Sequence, residues 1–298
     1  VASSGNSRSA SRIAWGAHDV KELTIRPKGR ERIPVEAEVI SPDVLAGKGL
    51  DEITNLPVYV GNRKLTLSDY FELEGEIAEK AAEQSIVVEG DVPWVKYIGA
   101  NMKSGHIMVK GDAGMHVGSQ MSGGELVVEG SVSDWAGAEM KGGLLRIKGD
   151  AGDLLGAAYR GSKEGMTGGC ILVDGSVGSE AGSFMRRGEI VTLNDTGPFT
   201  GVHMNGGEIF IFGRASKRLG AEMRGNGGVI VCFGEVESLL PTFVYDTTYK
   251  PASMRIYLNT LRDALGIKGA GKFLDVPFAR YRGDKAVGGD GEILIAEG

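Results

Sequence analysis

Residues able to do acid–base, nucleophilic or metal chemistry are few and scattered in this chain. The four histidines, His18, His106, His116 and His203, fall in different sequence frames and form no HxxxH or histidine–carboxylate group. A metal held by His106 and His116 would need two ligands from different frames on one side of the fold, so they read instead as solvated histidines. Cys170 and Cys232 stand alone with no CxxC, the pattern of reduced, mostly buried thiols in a cytoplasmic protein. No GxGxxG, GxxxxGK[ST] or GxSxG occurs in a suitable setting. What does stand out is cationic. The residues following seven regularly spaced methionines are Lys103, Ser122, Lys141, Thr167, Arg186, Asn205 and Arg224, and Arg160, Lys163 and Arg187 lie close by in sequence. Such a row suits recognition of a polyanionic partner or substrate tail; the competing reading is a solvated edge partly neutralised by Glu139 and Glu222.

The element that positions this row is a repeat. Methionine falls at Met102, Met121, Met140, Met166, Met185, Met204 and Met223, in steps of 19 residues with one step of 26. Glycine precedes it by three residues at Gly99, Gly118, Gly137, Gly182, Gly201 and Gly220. An aliphatic column follows at Ile107, Leu126, Leu145, Ile171, Ile190, Ile209 and Ile230. A unit this short cannot hold two helices, and fixed glycines suit the corners of a coiled β chain. The expected fold is therefore mainly β: a right-handed parallel β-helix with a small α/β N-terminal cap and a C-terminal helix and arm.

Alternation places Val109, Val128, Ile147, Val173, Thr192, Ile211 and Cys232 inside with the aliphatic column. The methionines form a third inner ladder, as packing rather than sulfur chemistry. Ala100, Ser119, Ala138, Ala157, Ser183, Val202 and Ala221, one after the glycine position, read as the small residues of a narrow core. The long step inserts Tyr159-Arg160-Gly161-Ser162-Lys163-Glu164-Gly165, and solenoid insertions project from one edge, often the functional one.

With 298 residues, 42% hydrophobic and 24% charged, the chain has material for a large core and more than one region. Its 48 glycines follow neither a collagen period nor low complexity. A net charge of -6 gives no general attraction to nucleic acid, and no run of about 20 apolar residues offers a membrane span. We divide the chain into a serine-rich flexible tail (1–12), the α/β cap (13–84), the β-helix of 19-residue repeats (85–236) and the C-terminal helix and arm (237–298). In the last region Met254, Leu258, Leu261 and Leu265 share a helical face before Gly266, and residues 267–298, with Phe273, Phe278, Tyr281 and a final alternating Glu292 to Ile295, read as an ordered arm or edge strand.

Between the inner strand residues lies an outward column, Met108, Val127, Arg146, Leu172, Val191, Phe210 and Val231, with Phe212 and Phe233 beside it. A face this apolar needs cover, from the C-terminal helix or from another subunit. In the second case Leu172, Val191, Phe210, Phe212, Val231 and Phe233 form a subunit interface, and charging Val191 and Phe210 would weaken assembly while sparing the isolated rod.

The repeated Gly-x-x-Met-x-x-Gly phrase, the segment Tyr159 to Gly169, and Gly201-Val202-His203-Met204-Asn205-Gly206-Gly207 resemble the C subunit of formylmethanofuran dehydrogenase. That family shares its glycine repeat with the C-terminal domain of the glutamate synthase large subunit. The resemblance extends to Ser41 to Lys48, Gly61-Asn62 and Phe71 to Glu76 upstream, which favour the dehydrogenase, and to Tyr281 to Ala286 downstream.

It implies a non-catalytic scaffold in an archaeal complex that reversibly reduces carbon dioxide and fixes it on methanofuran. Tungsten or molybdenum pterin, iron–sulfur clusters and dinuclear zinc would sit in partners: a pterin subunit, a zinc amidohydrolase subunit and ferredoxin-like subunits. Because methanofuran carries glutamyl groups, the resemblance also offers Lys141, Tyr159, Arg160, Lys163, Arg186 and Arg187 as contacts for its tail or for another subunit. Two alternatives stay open: the C subunit of a bacterial formyltransferase/hydrolase complex, and a free-standing structural β-helix.

Overall fold

The computed structural model describes residues 20–224 and 227–298. The expected tail 1–12, the first residues of the expected cap and His18 lie outside the described residues. Eight successive strands carry the repeat: β6 (Gln84–Glu89), β8 (His106–Lys110), β9 (Ser122–Val128), β10 (Lys141–Ile147), β11 (Thr167–Val173), β12 (Arg187–Thr192), β13 (Gly207–Ile211) and β14 (Gly228–Cys232). Each pairs in parallel with the next, with Ile107, Leu126, Leu145, Ile171, Ile190, Ile209 and Ile230 in one register column. A second parallel ladder of single bridges runs Val92, Ala113, Val132, Ala151, Val177, Thr196, Ala215, Val236. The period therefore sets two lines of parallel pairing per repeat, which local β propensity alone could not align.

Both inner strand columns and all seven repeat methionines are buried. One expectation needs correcting. The small residues after the glycine position, Ala100 to Ala221, are buried, but the alanines among them stand outside the main apolar core. The core column is instead the residue before the glycine, with Ile98, Val117, Ala136, Leu155, Ala181 and Leu219 as members. Glycine at a positive φ turns the chain between the two, so the following side chain is spent on the corner.

Carboxylate and hydroxyl groups tie repeat to repeat. Asp112 Oδ1 accepts from the Ser131 amide (2.7 Å), Ser131 Oγ from the Asp150 amide (3.0 Å), and Asp150 Oδ1 from the Ser176 amide (2.7 Å).

The ends of the stack are closed by other strands. β1 (Lys21–Pro27) pairs in parallel with β6 and antiparallel with β5 (Phe71–Gly75). A small sheet of β4 (Arg63–Thr66), β3 (Pro57–Val60), β2 (Val35–Glu36) and β7 (Val95–Lys96), with the short helices α1 (Pro42–Leu45), α2 (Leu50–Thr54) and α3 (Leu67–Tyr70), packs into the same core. At the far end β17 (Gly291–Ala296) pairs in parallel with β14 and antiparallel with β16 (Phe278–Gly283), and β15 (Val244–Tyr249) forms the edge. Glu292 to Ile295 is thus an internal strand and not an edge, because β16 returns to cover its free side.

Helix α4 (Ala252–Asp263) starts after Pro251 and ends before Gly266, whose φ is +73°. Met254, Leu258 and Leu261 point from one face into a second core with Leu172, Val191, Phe210, Val231 and Phe233. These five sheet residues are 0–7% exposed, and Phe212 packs on Phe233 at 4.4 Å between ring centroids. The apolar outer face is therefore covered by this chain's own helix. That corrects the subunit interface expected at Leu172, Val191, Phe210, Val231 and Phe233, which are buried in this second core; Phe212, at its margin, is only partly buried. Farther along the sheet, Arg146 is paired with Asp174 at 3.2 Å.

Candidate functional site

The corner that precedes each methionine places side chains on one edge of the stack. Two columns there have positive φ at non-glycine residues: Tyr97, His116, Trp135, Leu154, Glu180, Phe199 and Arg218; and Asn101, Gln120, Glu139, Phe184, His203 and Glu222. Recurrence in nearly every repeat marks this strain as corner geometry rather than a local active-site distortion.

Nearest the cap, the edge is aromatic. Tyr97 stacks on His116 at 4.5 Å between centroids, and Trp135 stacks on Tyr159 at 5.1 Å. Tyr159 Oη lies 3.0 Å from His116 Nδ1, and the Tyr159 amide donates to Glu139 Oε1 at 3.2 Å. Burial, with a smaller contribution from Lys96, pushes the His116 imidazole down to about 4. Burial likewise pushes the Tyr159 phenol up to about 12. The inserted loop is thus pinned to the neighbouring repeats at its first residue, and Tyr159 serves as the pin.

Beyond the loop the edge turns cationic. Lys163, Phe184, Arg186, His203, Asn205 and Arg224 line a cavity of about 330 Å³. The Phe184 and His203 rings stack at 4.4 Å. Arg186 Nη1 lies 3.5 Å from Glu164, Arg224 Nη2 lies 3.8 Å from Glu222, and His203 Nδ1 lies 3.4 Å from Glu222. Arg160 and Lys163 line an adjoining cavity of about 420 Å³ with Trp135, Tyr159 and Phe184. Lys141 and Arg187 are exposed and line neither cavity.

Lys163 and Arg186 of the expected contacts therefore share one cavity, Arg160 and Tyr159 stand next to it, and Lys141 and Arg187 do not join. His106 and His116, expected to be solvated, are each partly buried, His116 in a ring stack with Tyr97; His203 is also partly buried, stacked on Phe184. Phe184 and His203 were not legible as a site. The signal for them was the column one residue before the methionine, which has the same 19-residue period.

Among the described residues no group of three or more His, Cys, Asp or Glu is placed to hold a metal. Burial pushes the Cys170 and Cys232 thiols up to about 12, which suppresses the nucleophilic thiolate. Stacked rings beside guanidinium and ammonium groups can bind a ligand with flat and anionic parts.

No family model matches the chain. The C subunit of a tungsten-containing formylmethanofuran dehydrogenase 2 from Methanococcus maripaludis is 48% identical over 265 residues, 89% of this chain and 92% of the relative. Its counterpart in Methanothermobacter thermautotrophicus is 44% identical over 98 residues, a match that spans 33% of this chain and only 36% of that relative. The C subunit of a molybdenum-containing formylmethanofuran dehydrogenase 1 from Methanosarcina barkeri is 46% identical over 101 residues, 34% of each chain. Among solved structures, a chain of the formyltransferase/hydrolase complex from Methylorubrum extorquens, crystallised with methylofuran, aligns with a TM-score of 0.83 and 32% identity, covering 92% of this chain and 100% of that one. Among the described residues no helix is long and apolar enough to cross a membrane. On the near full-length match to the Methanococcus protein, the chain belongs to the family of formylmethanofuran dehydrogenase C subunits.

Proposed function

We propose that the chain is a non-catalytic scaffold subunit of a formylmethanofuran dehydrogenase, the complex that reversibly reduces carbon dioxide and fixes it as formylmethanofuran. The observation that carries this reading is 48% identity over 89% of the chain to a subunit of such an enzyme. The stacked-repeat architecture supports it, since its conspicuous chemistry is packing and surface charge. In this reading the two parallel ladders close into a right-handed β-helix spanning 85–236, capped by residues 13–84 and by the helix and arm of 237–298.

Catalysis then belongs to partners: a tungsten or molybdenum pterin subunit with iron–sulfur chemistry, a zinc amidohydrolase subunit and ferredoxin-like subunits. The cationic edge formed by Lys163 and Arg186, with Arg160 and Tyr159 alongside, is where this chain meets methanofuran's acidic tail or a neighbouring subunit. Lys141 and Arg187 extend the same positive surface.

A second reading rests on the solved neighbour: the C subunit of a formyltransferase/hydrolase complex, which shares this fold at a TM-score of 0.83. Purification by a tag on this chain, followed by native mass spectrometry, tests both. Recovery with pterin-, zinc- and ferredoxin-type subunits supports the dehydrogenase. A formyltransferase partner supports the second reading, and a chain recovered alone overturns both.

A further inference from the structure

The cavity lined by Lys163, Phe184, Arg186, His203, Asn205 and Arg224 has an order that a merely solvated edge does not require. Arg186, Asn205 and Arg224 occupy one frame position in three successive repeats. Their stems therefore leave the rod in a line, and the two arginines are rooted roughly 10 Å apart, two strand spacings. The guanidinium groups are also held apart. Arg186 turns to the inserted loop, donating to the Lys163 carbonyl at 3.3 Å and meeting Glu164 at 3.5 Å, whereas Arg224 faces Glu222 at 3.8 Å. Two separated guanidinium groups with an amide between them suit two anionic centres on one linear ligand better than a single anion. The stacked Phe184 and His203 rings form the cavity's flat side.

Both arginine–glutamate pairs are exposed, so each is weak and open to exchange. An incoming carboxylate would replace Glu164 or Glu222 at an arginine that is already oriented. The cleft is open to solvent, and its volume, about 330 Å³, is the size of a small-molecule site. The lining carries charge and two rings, without the broad apolar centre that a protein partner buries.

We propose that this cavity binds the oligocarboxylate tail of a small molecule laid along the stack. Successive carboxylates sit on Arg186 and Arg224, Asn205 spans the gap, Lys163 closes from the loop, and Glu164 and Glu222 act as built-in competitors. The proposal rests on the tail-contact reading above and sharpens it: Arg224 and Asn205 join the site, Lys141 and Arg187 leave it, and a polycarboxylate is selected over a single anion.

The test is calorimetric titration of the full-length chain with tri-glutamate, free glutamate and inorganic phosphate. Tri-glutamate should bind and the two small anions should bind much more weakly. Loss of one charge-assisted contact in Arg224→Gln should weaken tri-glutamate binding about tenfold, and Glu222→Gln should tighten it. Arg255→Gln and Asp275→Asn, which make the same charge changes at an ion pair beside α4, should leave it unchanged. Equal effects from the site and control variants would reduce the site to general surface charge and overturn the proposal, as would phosphate binding as tightly as tri-glutamate. In the tag-purified complex, methanofuran should displace labelled tri-glutamate. Binding without such displacement would assign the cavity to an acidic protein segment and overturn the small-molecule assignment. Whether partners co-purify is read separately, so the scaffold reading and this proposal can fail independently.

Discussion

Alanine substitutions at Gly143 and Gly61 separate two costs that are usually confounded. Both glycines have positive φ, +85° and +59°. At Gly61 an added Cβ would meet nothing within 4 Å. At Gly143 it would stand 2.7 Å from Met121 Cε, 2.8 Å from the Gly123 carbonyl carbon and 2.8 Å from the Gly124 oxygen. The methionine end can swing away, but the neighbouring repeat's backbone cannot without moving its strand. Left-handed backbone costs a non-glycine residue about 1–2 kcal/mol, overpacking adds about 1–3 kcal/mol, and alanine returns about 0.4–1 kcal/mol by restricting the unfolded chain. The net is about 1–4.5 kcal/mol for Gly143→Ala and about 0–1.5 kcal/mol for Gly61→Ala. Urea denaturation of the full chain, compared through midpoints at constant slope, measures both. Equal losses would refute the claim that close approach between stacked repeats, beyond corner conformation, demands glycine.

Three further outcomes follow from the same geometry. Phe210→Asp puts a carboxylate into the fully buried space under α4 and should destabilise the isolated chain by about 4 kcal/mol or more; a variant that melts like the parent would show that α4 does not cover this face. His116 has its folded-state value depressed to about 4, so the unfolded chain binds the extra proton first. Its contribution is complete above about pH 6.5 and is lost as pH falls toward 4, so His116→Gln should flatten the melting temperature between those limits; parallel curves would contradict it. Asp150→Ala removes the acceptor for the Ser176 amide across the long step and should cost about 1–2 kcal/mol in the same denaturation assay, with no loss if water replaces the carboxylate.

Much of the fold was legible because a repeated parallel strand writes its geometry as period. The buried columns from Ile107 and Val109, the methionine ladder, and the face of α4 at Met254, Leu258 and Leu261 all follow from spacing. Contacts between distant segments carry no such mark. Nothing local says that α4 lies over Phe210, that β16 returns to pair with β17, or that the core takes Ile98 and not Ala100, because a positive φ at a corner reassigns which side chain points in. The cationic edge was half legible for the same reason. Its methionine-adjacent column is periodic and so marks Arg186, and the column one residue earlier is equally periodic and stacks Phe184 on His203, whereas the Tyr159 to His116 pin depends on how the inserted loop lies back on the strands.

The central claim is that this chain organises a dehydrogenase whose chemistry resides elsewhere. Its most direct test is metal analysis of the complex recovered through a tag on this chain, alongside methanofuran-dependent activity. The account predicts tungsten or molybdenum together with iron and zinc, all retained by the partner subunits when this chain is dissociated. A metal-free, partnerless chain, or a redox metal that remains with this chain after dissociation, would contradict it.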